Sequence, residues 1–277
     1  MKFKYLIIAF SIIIIFIILV TALMPLMLSP QRGEGFALLF TENFRYITLP
    51  LLIFMALLLV CMGIFFLFNY RLLSLLERED WPALAYYLEQ KIFVKRRYSN
   101  RNVRLLASSY LVISDYQSVL KLESKVMLKK PSVVSKNVLI FGAARVLNGK
   151  HEEAAAFFRQ HMEKCRVKDK QWVRWFLGFS DLLAGSFNKA EPVFSSLAAA
   201  SSDALISGLS SYFLHASIFK YSLNPQVCSV NAENGRQRVV KAIRNINNWK
   251  KEADKMASDI HIAIIRKYID EAGEWLF

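Results

Sequence analysis

From Ile47 to Tyr70 the chain runs for 24 residues without a charged side chain. A helix of about 20 residues crosses the hydrocarbon core of a bilayer, and inside that core each backbone polar group must be paired within its own segment. Tyr5 to Leu28 is a second uncharged run, also of 24 residues. No polar face interrupts either run, so the sequence predicts two transmembrane helices, at about 5–28 and 47–70, that make residues 1–70 a membrane anchor. A cleavable signal peptide would account for Lys2 and Lys4 ahead of the first run, but the run continues through Met24, Pro25 and Leu26 without the small-residue site that cleavage needs.

Basic residues set the expected orientation. Arg32 and Arg45 between the two runs are balanced by Glu34 and Glu42, whereas Arg71, Arg78, Lys91, Lys95, Arg96, Arg97, Arg101 and Arg104 follow the second run. Both termini are therefore expected in the cytoplasm, at a bacterial-type inner membrane. The net charge is +14, of which residues 1–69 carry +2, leaving +12 for the remainder. Such an excess suits a domain held near anionic headgroups, where each basic residue contributes about 1 kcal/mol. Nucleic acid is the competing partner for a basic domain. Neither an RNP-type sequence nor Cys/His finger spacing is present, so none is expected. Cys61, Cys165 and Cys228 are too scattered for a disulfide framework and suit reduced thiols.

Beyond the anchor the chain repeats itself. Leu147 to Phe158 reads LNGKHEEAAAFF, and thirty-six residues later Leu183 to Phe194 reads LAGSFNKAEPVF. Gly149 pairs with Gly185, Ala154 with Ala190, Phe158 with Phe194 and, upstream, Gly142 with Gly178. A third unit, 35 residues earlier, places Ala107, Tyr110, Ser114 and Val119 opposite Gly142, Arg145, Gly149 and Ala154. Each unit reads as a helix, a tight turn and a second helix, over about 100–133, 135–168 and 171–204. Gly142 and Gly178 sit inside first helices, where glycine costs about 1 kcal/mol relative to alanine, so a close crossing is expected there. Gly149 and Gly185 allow the left-handed backbone that ends a helix.

This pattern resembles the tetratricopeptide repeat (TPR), a helical hairpin of about 34 residues. Leu177, Gly178, Gly185, Phe187, Ala190 and Phe194 occupy the motif's places, as do Phe141, Gly142, Gly149, Ala154 and Phe158, and in the first unit Leu106, Ala107, Tyr110, Tyr116 and Pro131. The motif's early tryptophan is replaced by Val103, Val138 and Arg174. Leu75 to Gln90, with Asp80 as an N-cap and Pro82 in a first turn, reads as part of an earlier unit fused to the second membrane helix. Past 204 the period fades. Ala204 to Tyr221 reads as a helix, Ser222 to Asn234 as a loop, and Arg236 to Phe277 as helical, with Val239, Ile243, Ile246, Trp249, Ala253, Met256, Ile260 and Ile264 in one apolar stripe. That stripe suits a C-terminal capping helix within 205–277, since a solenoid must cover its last face; self-association into a homo-oligomer is the other use for it. The expected fold is thus all-α: two transmembrane helices, a TPR-like solenoid over 71–277 and a C-terminal cap.

No catalytic constellation emerges. His151, His161, His215 and His261 have no metal-ligand spacing, and there is no phosphate loop, nucleophile elbow or C-x-x-C pair. The chain is not expected to be an enzyme, and no cofactor or metal is expected. The resemblance implies instead a groove lined by first helices that receives a protein segment: Arg101, Arg104, Ser108 and Leu111; Lys136, Leu139, Ala143 and Val146; Trp172, Trp175, Phe179 and Leu182. Spacing by three and four also suits burial in a helix's own core, and both readings of Trp172 and Trp175 stay open. A membrane-anchored scaffold that recruits or assembles a membrane-associated complex is the expected function, with flagellar-motor collars and secretion assemblies as architectural analogies. An accessory subunit of a membrane enzyme or transporter, meeting its partner through the membrane helices, is the alternative.

Overall fold

The computed structural model describes residues 11–19, 49–257 and 259–277. Every regular element among these is a helix, and the all-α expectation holds. Most of the first apolar run lies outside the described residues, as does the connection at 29–46; residues 11–19 are helical. The chain divides into two units, Met1–Leu84 and Ala85–Phe277.

The first unit is dominated by α1 (Leu49–Glu77), which contains an 18-residue stretch, within Ile53–Glu77, of mean hydropathy 2.4. Its uncharged residues, 49–70, rise about 33 Å at 1.5 Å per residue, enough for a hydrocarbon core of about 30 Å. Many of its apolar side chains between Ile53 and Phe68 are exposed, Leu67 by 76% and Phe68 by 81%. Helix α1 is the candidate membrane span among the described residues. Helix α2 (Trp81–Glu89) starts where the sequence places its cap, with Asp80 Oδ1 accepting from the Ala83 amide at 3.1 Å.

The second unit is a run of antiparallel helical hairpins. A π-helical turn (Gln90–Val94) leads to α3 (Asn100–Val112) and α4 (Tyr116–Lys129); a short α5 (Pro131–Ser135) leads to α6 (Val138–Leu147) and α7 (His151–His161), then α8 (Lys170–Leu183) and α9 (Phe187–Ala200). Ser99 caps α3 by accepting from the Asn102 amide, and Asp115 caps α4 through Ser118. The three hairpin turns close identically. Ser114, Gly149 and Gly185 adopt φ of +60°, +74° and +72°, and the next amides, Asp115, Lys150 and Ser186, donate to the carbonyls of Tyr110, Arg145 and Asp181 at 2.9, 2.9 and 2.8 Å. This is the six-to-one bond that satisfies orphan carbonyls at a helix end.

The glycines inside first helices mark the expected crossings. A Cβ on Gly142 would lie 2.0 Å from Phe158 Cζ, and one on Gly178 would lie 2.9 Å from Val193 Cγ1 and 3.4 Å from Phe194 Cζ. Phe158 and Phe194 are fully buried in the gaps so created.

Two sequence expectations need correction after α10 (Ala204–Phe213). The stretch 222–234 is not a loop: α11 (Pro225–Ile243) begins at Pro225, which occupies the first helical turn, where its missing N–H costs nothing. Gly235 lies inside that helix because a Cβ there would fall 2.2 Å from Ser211 Oγ. Nor is there a single C-terminal helix. The chain turns at Arg244 (φ +73°), restarts at Asn245, whose side chain accepts from the Asn248 amide, and forms α12 (Ile246–Lys255), α13 (Ile260–Ile264) and α14 (Arg266–Leu276). Trp249 holds this cluster together. Its ring lies against Gly208 and Gly273, where a Cβ would come within 2.6 and 2.7 Å, and its indole N–H donates to the Ile269 carbonyl at 2.8 Å.

Candidate functional site

Several of the side chains assigned to a groove from the sequence, Arg104, Trp172 and Phe179 among them, meet the chain's own C-terminal segment. Arg104, on α3, donates to Asp259 Oδ1 at 2.7 Å. Asp259 precedes α13 as its N-cap, yet its carboxylate makes no capping bond within α13. Two residues on, His261 is 6% exposed, with its ring 5.4 Å from that of Trp172 and 6.1 Å from that of Phe176, both edge-on. Helix α13 packs on α6, which supplies the buried Leu139, Ala143 and Val146. In α14, Tyr268 lies 5.5 Å from Phe179 and 5.2 Å from Phe213, ring centre to ring centre.

These contacts sort the expected site residues into four groups. Arg104, Lys136 and Leu139 surround Asp259 and His261, with Arg166, Lys168 and Asp169, at a cleft of about 50 Å³. Trp172 lines the other flank of His261, where a second cleft of about 390 Å³ is bounded by Asp203, Ile206 and Met256. Trp175 and Phe179 lie deeper: Trp175 is fully buried, stacked on Phe179 at 5.1 Å and edge-on to Phe176 and Phe194. Trp172, at 4% exposed, is also buried. Arg101 stands apart, in a basic cleft with Lys91, Arg96, Arg97, Lys129 and Lys130.

The electrostatics of the tail contact are those of a burial that resists protonation. The His261 pKa is pushed down to about 4, chiefly by burial; Asp259 and Asp169 act against that shift and Arg104 adds to it. Its Nε2 is buried without a hydrogen-bond partner among the described residues. The Arg104–Asp259 pair, with side chains 40% and 33% exposed, contributes at most about 1 kcal/mol. No group of three His, Cys, Asp or Glu side chains suited to a metal occurs among the described residues.

Sequence reasoning misses the tail because the apolar stripe from Val239 to Ile264 reads as one helix. The signal that would have found it is Ser258–Asp259 ahead of Ile260, an N-cap pattern in mid-stripe. It also misses a polar ladder between hairpins. Tyr110 Oη donates to Glu89, Arg145 pairs with Glu123 at 2.6 Å, and Arg159 pairs with Asp181 at 3.1 Å. Each rung joins the second helix of one hairpin to the first helix of the next, and Tyr110, Arg145 and Asp181 are the residues whose carbonyls close the turns.

Comparison with known proteins gives two findings. Residues 118–277 match the model of a family described as "Uncharacterised Treponema protein". A protein of Treponema pallidum (strain Nichols), described as "Uncharacterized protein", is 28% identical over 286 residues, covering the whole of this chain and 88% of that protein. The family match spans α4 after its first turn, the next two hairpins, the Trp249 cluster and the tail that lies against them. It covers more than half of the sequence, and the chain therefore belongs to the family of uncharacterised Treponema proteins.

Proposed function

We propose that this chain is a membrane-anchored scaffold whose TPR-like solenoid receives a segment of a partner protein in the groove now held by its own tail. The anchor in this reading is a pair of membrane helices, 5–28 and 47–70, with both termini cytoplasmic. The length and apolarity of α1 support the second of these.

One observation carries the reading. A short helix of five residues, α13, lies over first-helix residues in the places where the resembled repeat receives its ligand, and an arginine, a tryptophan and a leucine from three hairpins meet it there. Arginine and tryptophan are the residue types that most often dominate interface energies. Helix α13 and its N-cap are tied to the first helices by one half-exposed ion pair and by a histidine without a hydrogen bond at Nε2, so a competing segment has little polar attachment to displace there.

The test keeps the full chain in its own membrane and places a photo-crosslinking residue at the exposed Lys136. Asp259→Arg sets like charges against Arg104 and frees the tail while leaving the groove intact. A protein captured several-fold more strongly by this variant than by the native chain, and returned to the native level by Arg104→Glu with Asp259→Arg, is the expected result. Equal capture by all three chains, with faster amide exchange in α13 showing that the tail is free in the single variant, overturns the reading.

A further inference from the structure

The basic cleft that takes Arg101 away from the groove has a different chemistry. It has a volume of about 610 Å³ and is lined by Lys91, Arg96, Arg97, Arg101, Lys129 and Lys130, with Tyr98, Ser99 and Asn102 and no carboxylate. None of the six cations forms an ion pair with a described residue, although eleven such pairs are formed by other side chains among the described residues. The backbone that gathers them is unusual. The π-helical turn Gln90–Val94 ends in bonds from the Lys95 amide to the Gln90 carbonyl and from the Arg97 amide to the Lys91 carbonyl, and Arg96 is held at φ +52°. A π-turn and a left-handed non-glycine residue are both departures that the surrounding structure must hold in place, and both recur at functional sites. The cations also crowd one another: the Lys91 pKa is lowered first by burial, then by Arg97, Arg101 and Lys95.

Two further features say what the cleft would meet. The amino-terminal turn of α3, with no acidic residue in it, adds the positive end of a helix dipole beside Ser99. Val94 and Leu128, next in sequence to Lys95 and Lys129, are 69% and 84% exposed, which is the pairing of apolar and cationic side chains found on surfaces that lie in a lipid interface. Tyr98 is the one aromatic residue in the lining, whereas sites for single-stranded nucleic acid stack successive bases on several. The cations begin fourteen residues beyond the end of α1, so a chain anchored by that helix keeps them tethered near a bilayer.

We propose that this cleft binds a phosphate group, and that the phosphate is the headgroup of an acidic phospholipid. This site is separate from the groove and does not depend on the groove's function.

The experiment uses the full chain in a non-ionic detergent and titrates water-soluble short-chain phosphatidylglycerol, short-chain phosphatidylcholine and inorganic phosphate. Saturable binding of phosphatidylglycerol in preference to the other two is expected. Each cation near an anionic surface is worth about a fivefold factor, so Arg96→Gln with Arg97→Gln and Lys129→Gln weakens binding about a hundredfold. Lys241→Gln with Lys250→Gln and Lys251→Gln removes the same charge elsewhere and leaves binding unchanged. Inorganic phosphate binding as tightly as the lipid would identify a soluble phosphate as the source and overturn the lipid assignment. Preference for a single-stranded oligonucleotide, or equal loss in both triple variants, would overturn the site itself.

Discussion

Gly142 shows how one missing side chain sets a helix crossing. Phe158 Cζ and Cε1 lie 2.0 and 2.3 Å from where a Cβ would stand, and Phe158 is fully buried, so the ring has no free space to enter. Gly142→Ala is therefore expected to cost about 1–3 kcal/mol as overpacking, read by urea unfolding of the full chain in detergent through tryptophan fluorescence. Adding Phe158→Leu should return part of that loss. Gly149→Ala is the contrast: nothing lies within 4 Å of its Cβ position, so its cost of about 1 kcal/mol comes from φ of +74° alone and no repacking mutation relieves it. His261 supplies a second prediction at this scale. Its folded pKa of about 4 lies below the ordinary histidine value of 6.5, so the unfolded or undocked tail binds the proton more readily between those values. The stability it confers is complete above pH 6.5 and falls as pH drops toward 4, by about 3 kcal/mol in all. Asp259 and Asp169 temper this loss and Arg104 deepens it. Amide exchange at 262–265, corrected for its intrinsic pH dependence, should accelerate across that window, and His261→Gln should flatten the response.

The elements are joined by the polar ladder, and its middle rung is the most enclosed. Arg145 and Glu123 have side chains 16% and 9% exposed and share two hydrogen bonds, while the guanidinium lies 4.1 Å from the centre of the Phe157 ring. Removing one member leaves a buried charge, so Glu123→Ala is expected to lose about 3 kcal/mol. The next rung has the opposite polarity, with Arg159 on the second helix and Asp181 on the first. Glu123→Arg with Arg145→Asp copies that arrangement and should recover most of the loss, short of about 1 kcal/mol for the ring contact; thermal melting of native, single and double variants reads this directly. The inversion also explains what the sequence concealed. Gly142 and Gly178, or Phe158 and Phe194, repeat as identities because a crossing has a fixed size, so the hairpins were legible. Arg145 and Asp181 occupy equivalent places with opposite charges, and a search for likeness passes over them. The tail was hidden for a different reason: apolar spacing fixes which face of α12 and α13 is buried but says nothing about the turn at Arg244 or the break before Ile260, which are set by contacts distant in sequence such as Trp249 with Gly208.

At the scale of the whole molecule, orientation is the remaining property that physical reasoning predicts. The positive-inside rule places the basic residues after α1 on the cytoplasmic side, and 29–46, with no positive excess, on the other. Single cysteines test this once Cys61, Cys165 and Cys228 are replaced by alanine. The replacement is necessary because Cys61 is exposed on α1 and Cys165 is half-buried, with a thiol that burial makes less acidic but does not hide. Ser132 is the better cytoplasmic reporter than Ser99: it is exposed, whereas Ser99 Oγ caps α3 and its loss would cost about 1 kcal/mol. A membrane-impermeant maleimide added to intact spheroplasts should label Ser29→Cys and leave Ser132→Cys unlabelled until the membrane is opened. Labelling of Ser132→Cys alone would invert the topology, and with it the side on which the basic cleft and the groove could meet a partner. Labelling of both from outside would mean that α1 does not span, since the run 47–70 is what separates Ser29 from Ser132 in the sequence.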